Sequence, residues 1–163
     1  IPPETVSQVV DIDLKGVIFG SQVAVRGMLA QGFGHLYNME GFGSNNRTRE
    51  GLSVYGSTKA AVRFFTRSLT GETEKTPVKV STLSPGIVIT EFLTDQYEDD
   101  PEGLEQAKKV FNTLGDKVET VTPWLVDQVL SNDKSGAVIE WLTMPKILTR
   151  FATARFNKRD LFD

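Results

Sequence analysis

Tyr55-Gly56-Ser57-Thr58-Lys59 is the stretch on which the reading of this chain turns. On a helix, residues four apart lie one above the other on the same face, so this spacing sets a phenol beside an ammonium. The ammonium stabilises the phenolate, and the spacing therefore predicts a Tyr55 pKa pulled below its free value of about 10. A phenol tuned in this way can pass a proton to or from an oxygen. The same spacing also arises by chance as an ordinary surface pair, so its weight depends on what surrounds it.

Outward from this stretch, Ala60, Ala61, Phe64, Phe65 and Leu69 continue an apolar helical face, predicting a helix from about Ser53 to Glu74 that Pro77 ends. Upstream, apolar and small residues from Val6 to Met28 recur at spacings of three and four after Pro2 and Pro3. They predict a long helix stopped at Gly32-Phe33-Gly34. His35–Met39, Val78–Leu83 and Ala137–Leu142 read as strands, and Pro123 is placed to open a helix through Trp124, Leu125, Val129 and Leu130. The order helix, strand, helix, strand, helix, strand predicts right-handed crossovers onto a parallel sheet, an α/β doubly wound fold.

Composition narrows the function classes. The chain has 163 residues, 39% hydrophobic and 24% charged, with a net charge of −3, enough for one domain with a core. No apolar run is long enough to span a membrane. The opening Ile1-Pro2-Pro3-Glu4-Thr5 has neither a basic start nor an apolar block, so the expectation is a chain that is not secreted; beginning without a methionine, it reads as a processed or trimmed product. With no cysteine, disulfides, thiolate metal sites and cysteine nucleophiles are excluded. From Trp141 onward, Lys146, Arg150, Arg155, Lys158 and Arg159 stand against two acids, but no basic stripe with interleaved aromatics argues for nucleic acid.

Three motifs in register carry a family resemblance. Asn38-Met39, then Tyr55-Gly-Ser-Thr-Lys59-Ala-Ala, then Ser84-Pro85-Gly86-Ile87-Val88-Ile89-Thr90 resemble the C-terminal two-thirds of a short-chain dehydrogenase/reductase. The resemblance implies a Rossmann-type fold and makes Tyr55 the general acid/base, with Lys59 lowering its pKa and holding the nicotinamide ribose. It places Asn38, Pro85, Gly86, Val88 and Thr90 among the cofactor-binding positions. From the residues alone, Pro85-Gly86 also reads as a simple turn.

Two positions depart from the pattern. The family serine that polarises the substrate carbonyl falls at Phe42, and Ser44 is the nearest upstream hydroxyl, either a replacement or an ordinary loop serine. The helix asparagine of the proton relay falls at Asp13, whose charge opposes a tyrosinate. The run Asn38-Met39-Glu40-Gly41-Phe42-Gly43-Ser44 is similar to the chlorophyll(ide) b reductase branch. That resemblance implies NADPH-dependent reduction of a chlorin formyl group to a hydroxymethyl group, with NADH left open, and a plastid stroma or cytoplasmic setting.

Nothing before Tyr55 supplies the glycine-rich strand–turn–helix that holds a pyrophosphate. The expectation is a portion of a longer reductase, residues 1–143, followed by a basic amphipathic tail at 144–163. The alternatives are a homo-oligomer or partner chain that completes the sheet, and a non-catalytic binding or assembly protein on the same scaffold. The tail, with Met144, Ile147, Leu148 and Phe151 at helical spacing, suits either an anionic membrane surface or docking on the domain or on a neighbouring subunit. Glu91 to Glu105 carries seven acids and no base and reads as a mobile loop with a short helix behind it, with Phe92, Leu93 and Tyr97 as a lid face or ordinary packing. Glu98-Asp99-Asp100 reads as solvated rather than as a metal site, and His35 as packed or solvated rather than catalytic.

Overall fold

The structure is a computed structural model and describes residues 1–162. It divides into two compact units: Ile1–Ser84 with Asn132–Ile139, and Pro85–Ser131 with the chain from Glu140 onward.

The first unit opens with α1 (Pro3–Val10), a π-helical turn (Asp11–Lys15) and α2 (Gly16–Gln31), which run on without a break. Pro3 sits in the first turn, where its missing N–H costs nothing. In the π turn the Gly16 N–H reaches back five residues to the Asp11 carbonyl. That single wide turn rotates the side chains after it, and such turns recur at functional sites. Gly32, at φ 84°, closes α2 by donating to the Met28 carbonyl at 3.0 Å, a left-handed position that favours glycine.

β1 (Gly34–Met39), α3 (Ser53–Glu72) and β2 (Val78–Ser84) follow, and β5 (Val138–Glu140) returns to give the order β1-β2-β5. β1 and β2 are parallel, with Asn38 opposite Thr82. Val25, Val78 and Val80 form a buried cluster with Met28, Leu36 and Leu69 against it. Val62 and Val80 are fully buried, each stabilising the fold by about 1.5–3 kcal/mol.

The second unit has features the sequence pattern did not announce. β3 (Ile87–Ile89) pairs in parallel with β4 (Gly115–Lys117), Val88 opposite Asp116. Between them lie α4 (Glu91–Thr94), a 3₁₀ turn (Asp95–Tyr97) and α5 (Pro101–Leu114). The helix expected behind the acidic loop is α5, and α4 with the 3₁₀ turn takes up most of the loop itself. Asp100 caps α5, its Oδ1 accepting from the Gly103 N–H at 2.9 Å, and acids in a first helical turn suit the helix dipole. Tyr97 packs edge-on to the buried Phe111, while Phe92 is exposed. α6 (Val118–Ser131) starts five residues before Pro123, which lies inside it. Burial of Val121 and Leu125 on one face outweighs the bond the proline removes.

The last helix, α7 (Met144–Thr153), belongs to this second unit. Asp116, 4% exposed, receives Arg150 at 2.8 Å, Arg159 at 2.7 Å and the Trp141 indole N–H at 2.6 Å. Burial works to raise the Asp116 pKa, but the bonds from Trp141, Arg150 and Arg159 and the Arg150 charge hold it below the ordinary carboxylate value. The basic residues at 150 and 159 are therefore ties to β4, while Met144, Leu148, Phe151 and Phe156 stay exposed. Among the described residues no helix is long and apolar enough to cross a membrane.

Candidate active site

α3 carries Tyr55 and Lys59 on one face, as the spacing requires, with the Lys59 Nζ 5.4 Å from the centre of the Tyr55 ring. The π turn delivers Asp13 to the same place, its Oδ1 3.1 Å from the Lys59 Nζ. Both partners are largely shielded, with side chains 13% and 22% exposed. One expectation is corrected here. Tyr55 does not have a lowered pKa: burial raises it first, and the Asp13 charge raises it further. Burial disfavours the phenolate, and a carboxylate beside the ammonium offsets the attraction the ammonium would supply. The phenol accordingly stands protonated at neutral pH.

The turn after β1 closes the other side. Glu40 is buried and extends the sheet by one bond, its N–H donating to the Leu83 carbonyl at 2.7 Å. Gly41 packs directly on the Tyr55 hydroxyl and the Lys59 side chain, so that any side chain at 41 would collide with the phenol oxygen. Gly43, at φ 100°, lies against the Gly56 backbone in the same way. These two glycines let the turn lie flat on the first two turns of α3.

Ser44 is buried. Its hydroxyl donates to the Lys59 carbonyl at 3.1 Å and accepts from the Gly41 N–H at 3.2 Å. Phe42, at the position counted for the family serine, is exposed. Asn38 is also committed inward. Its amide donates to Thr66 Oγ1 at 3.0 Å and its carbonyl oxygen accepts from Ser21 at 3.2 Å, joining α2, β1 and α3. Tyr55, Lys59, Asp13 and the Ser44 turn thus converge within the first unit.

Pro85, Gly86, Val88 and Thr90 belong to the second unit. Gly86 takes φ 74° against the Leu142 side chain, Val88 lies in β3, and Thr90 is extended before α4, its carbonyl accepting from Leu93 and Thr94. His35 is packed: it stacks on Tyr37 at 4.1 Å and bonds Ser81 at 2.9 Å, and burial followed by the Lys79 charge lowers its pKa. No cluster of three metal-ligating side chains exists among the described residues.

Sequence reasoning missed Gly41 as the neighbour of the phenol and Arg63 as a partner of the turn. Arg63 Nη1 donates towards Glu40 Oε2 at 3.5 Å and the Ser44 carbonyl at 3.4 Å. The Gly-x-Gly at 41 and 43 is a visible signal, but in sequence it reads only as a turn. Nothing in the local pattern marks Arg63.

Comparison with known proteins identifies the family and the fold. Residues 1–101 match the family model for short chain dehydrogenase. The probable chlorophyll(ide) b reductase NYC1 of Arabidopsis thaliana, a chloroplastic protein, is 34% identical over 161 residues, covering 98% of this chain and 31% of the relative. The chloroplastic chlorophyll(ide) b reductase NOL of the same plant is 32% identical over 155 residues, 90% of this chain and 43% of the relative. The chain therefore spans about a third to two-fifths of the length of these relatives. Among solved structures, a serine dehydrogenase in complex with NADP+ superposes with a TM-score of 0.73 at 26% identity, over 89% of this chain and 58% of the other. An NAD+-bound xylitol dehydrogenase, at 18% identity and a TM-score of 0.71 over 86% and 60%, shares the fold. The chain belongs to the short-chain dehydrogenase family, in a branch similar to the chlorophyll(ide) b reductases.

Proposed function

We propose that this chain carries the proton-donating half of a carbonyl reductase that uses NADPH, with NADH as the alternative, and reduces the formyl group of a chlorin to a hydroxymethyl group. The observation that carries the reading is the convergence of a half-buried, protonated Tyr55 with Lys59 and Asp13. A reduction needs an acid at the carbonyl oxygen, and a phenol with a raised pKa holds its proton through neutral pH.

The donor set, a phenol and an ammonium on one helix face, fits a nicotinamide nucleotide beside a carbonyl. Lys59 and Tyr55 would hold the ribose. The nucleotide, when bound, supplies a hydride to the carbonyl carbon. Tyr55 gives its proton to the oxygen, so that an aldehyde gains one hydride and one proton and becomes a primary alcohol. Asp13 holds the Lys59 ammonium and offers a relay water a place. Ser44, bonded to the Gly41 N–H, serves as the anchor of the turn beside the phenol, and a carbonyl-polarising role would require that it release the Lys59 carbonyl.

The relatives' chloroplastic setting supports a plastid location. Phe19, Val23 and Phe64, exposed on α2 and α3, support association with a second copy or with a chain that completes the sheet beyond the edge strand β1. The exposed apolar residues of α7 and beyond support contact with a lipid surface. A non-catalytic binding role on this scaffold is favoured by one observation, the engagement of Lys59 by Asp13. The test is a fluorescence titration of NADPH and NADH, followed by chlorin turnover: saturable binding with formation of the hydroxymethyl product supports the reductase, and binding without turnover supports the alternative.

A further inference from the structure

Arg63 lies on α3 one turn beyond Lys59 and two turns beyond Tyr55. Its Nη1 reaches both ends of the turn that follows β1: Glu40 Oε2 at 3.5 Å and the Ser44 carbonyl at 3.4 Å. The Glu40 side chain is 3% exposed and that of Arg63 33%, so the guanidinium bridges a buried carboxylate and a loop carbonyl at the rim. Between these two points sits Gly41, whose backbone abuts the Tyr55 hydroxyl. Within the same turn Ser44 ties the Gly41 N–H to the Lys59 carbonyl.

We propose that Arg63 is a positioning residue for the Tyr55 site, holding the 40–44 turn shut against the phenol by gripping it at Glu40 and Ser44. The inference rests on the reading of Tyr55 as proton donor, and it adds a residue that never touches the substrate. Two features make the turn depend on such a grip. Gly41 and Gly43 have no side chains to pack, so the turn gains little from apolar burial. Opening it would admit water to the phenol, whose raised pKa owes most to burial. The charged groups about the phenol and the turn are Asp13 from the π turn, Lys59 and Arg63 from α3, and Glu40 from the end of β1.

The test compares the full chain with Arg63→Gln, Arg63→Lys and the double variant Glu40→Gln/Arg63→Gln. The double variant is decisive because it removes one charge of each sign and leaves no unmatched buried carboxylate. Tyr55 ionisation is read from phenolate absorbance after subtracting the same variant carrying Tyr55→Phe. The clamp predicts that Tyr55 titrates at lower pH in the double variant, that Arg63→Lys stays nearer the parent, and that kcat for a formyl chlorin falls on the order of 10- to 100-fold with KM little changed. Loss of the Arg63 charge alone would move the phenol the other way. An unchanged or upward titration in the folded double variant overturns the proposal. If the parent chain reduces no chlorin, the titration alone decides the clamp, so failure of the reductase reading is told apart from failure of this one.

Discussion

Asp13→Asn is the substitution whose consequence follows most directly from the site. The Asp13 carboxylate lies 3.1 Å from the Lys59 ammonium, which is itself 5.4 Å from the Tyr55 ring. At an effective dielectric of about 20, an ammonium attracts a phenolate at that range by about 3 kcal/mol. A carboxylate beside the ammonium cancels much of that attraction, and the phenol is left with the burial penalty. Asparagine keeps the shape and removes the charge, so the acidity of Tyr55 should rise on the order of tenfold or more. Loss of the ion pair should lower stability by about 1–3 kcal/mol, since Lys59 stays shielded with only an amide for company. The assay is ultraviolet difference titration of the phenol against Asp13→Asn/Tyr55→Phe, with a thermal melt to confirm folding. An unchanged titration, or one displaced to higher pH, would refute the claim that Asp13 sets the charge balance of the site.

Two further outcomes follow. Gly41→Ala drives a methyl group into the Tyr55 hydroxyl and the Lys59 side chain, and should cost about 1–3 kcal/mol in chemical denaturation while lowering turnover; wild-type behaviour would show that the turn has room to move. Asp116 has a folded pKa held below its unfolded value, so the stability it contributes is present above the ordinary carboxylate pKa and is lost as pH falls through the folded one; Asp116→Asn should be less stable than the parent at neutral pH, with the gap narrowing in acid melts, and a gap independent of pH would contradict the assignment.

Much of the fold was legible because its signals are local. The alternation of helices and strands, the Tyr55–Lys59 spacing, and the ends of α2 at Gly32 and of β1 and β2 all follow from short periodicities and glycine or proline punctuation. The opposition of Asp13 to a tyrosinate was also readable, once the family's asparagine position was counted onto it. What escaped depends on contacts across the chain or on a one-residue change of helical register. The π turn at Asp11–Lys15 looks like ordinary helix in sequence, yet it delivers Asp13 to Lys59, where its charge adds to the burial that raises the Tyr55 pKa. The three-residue strands at Ile87–Ile89 and Gly115–Lys117 are too short to show a period. The Asp116 network joins residues up to 43 apart in sequence, so docking of the tail on the domain was a reading the sequence allowed, but its anchor on β4 was not. Pro123 misled because proline is common at helix starts, whereas here the burial of Val121 draws the helix back to Val118.

The most direct measurement is reduction of a formyl chlorin with NADPH by the parent chain and by Tyr55→Phe, each with its nucleotide affinity determined in parallel. The account predicts that losing one hydroxyl lowers turnover by about 10²- to 10⁴-fold and leaves nucleotide binding within about twofold. Equal turnover by the two proteins would contradict it.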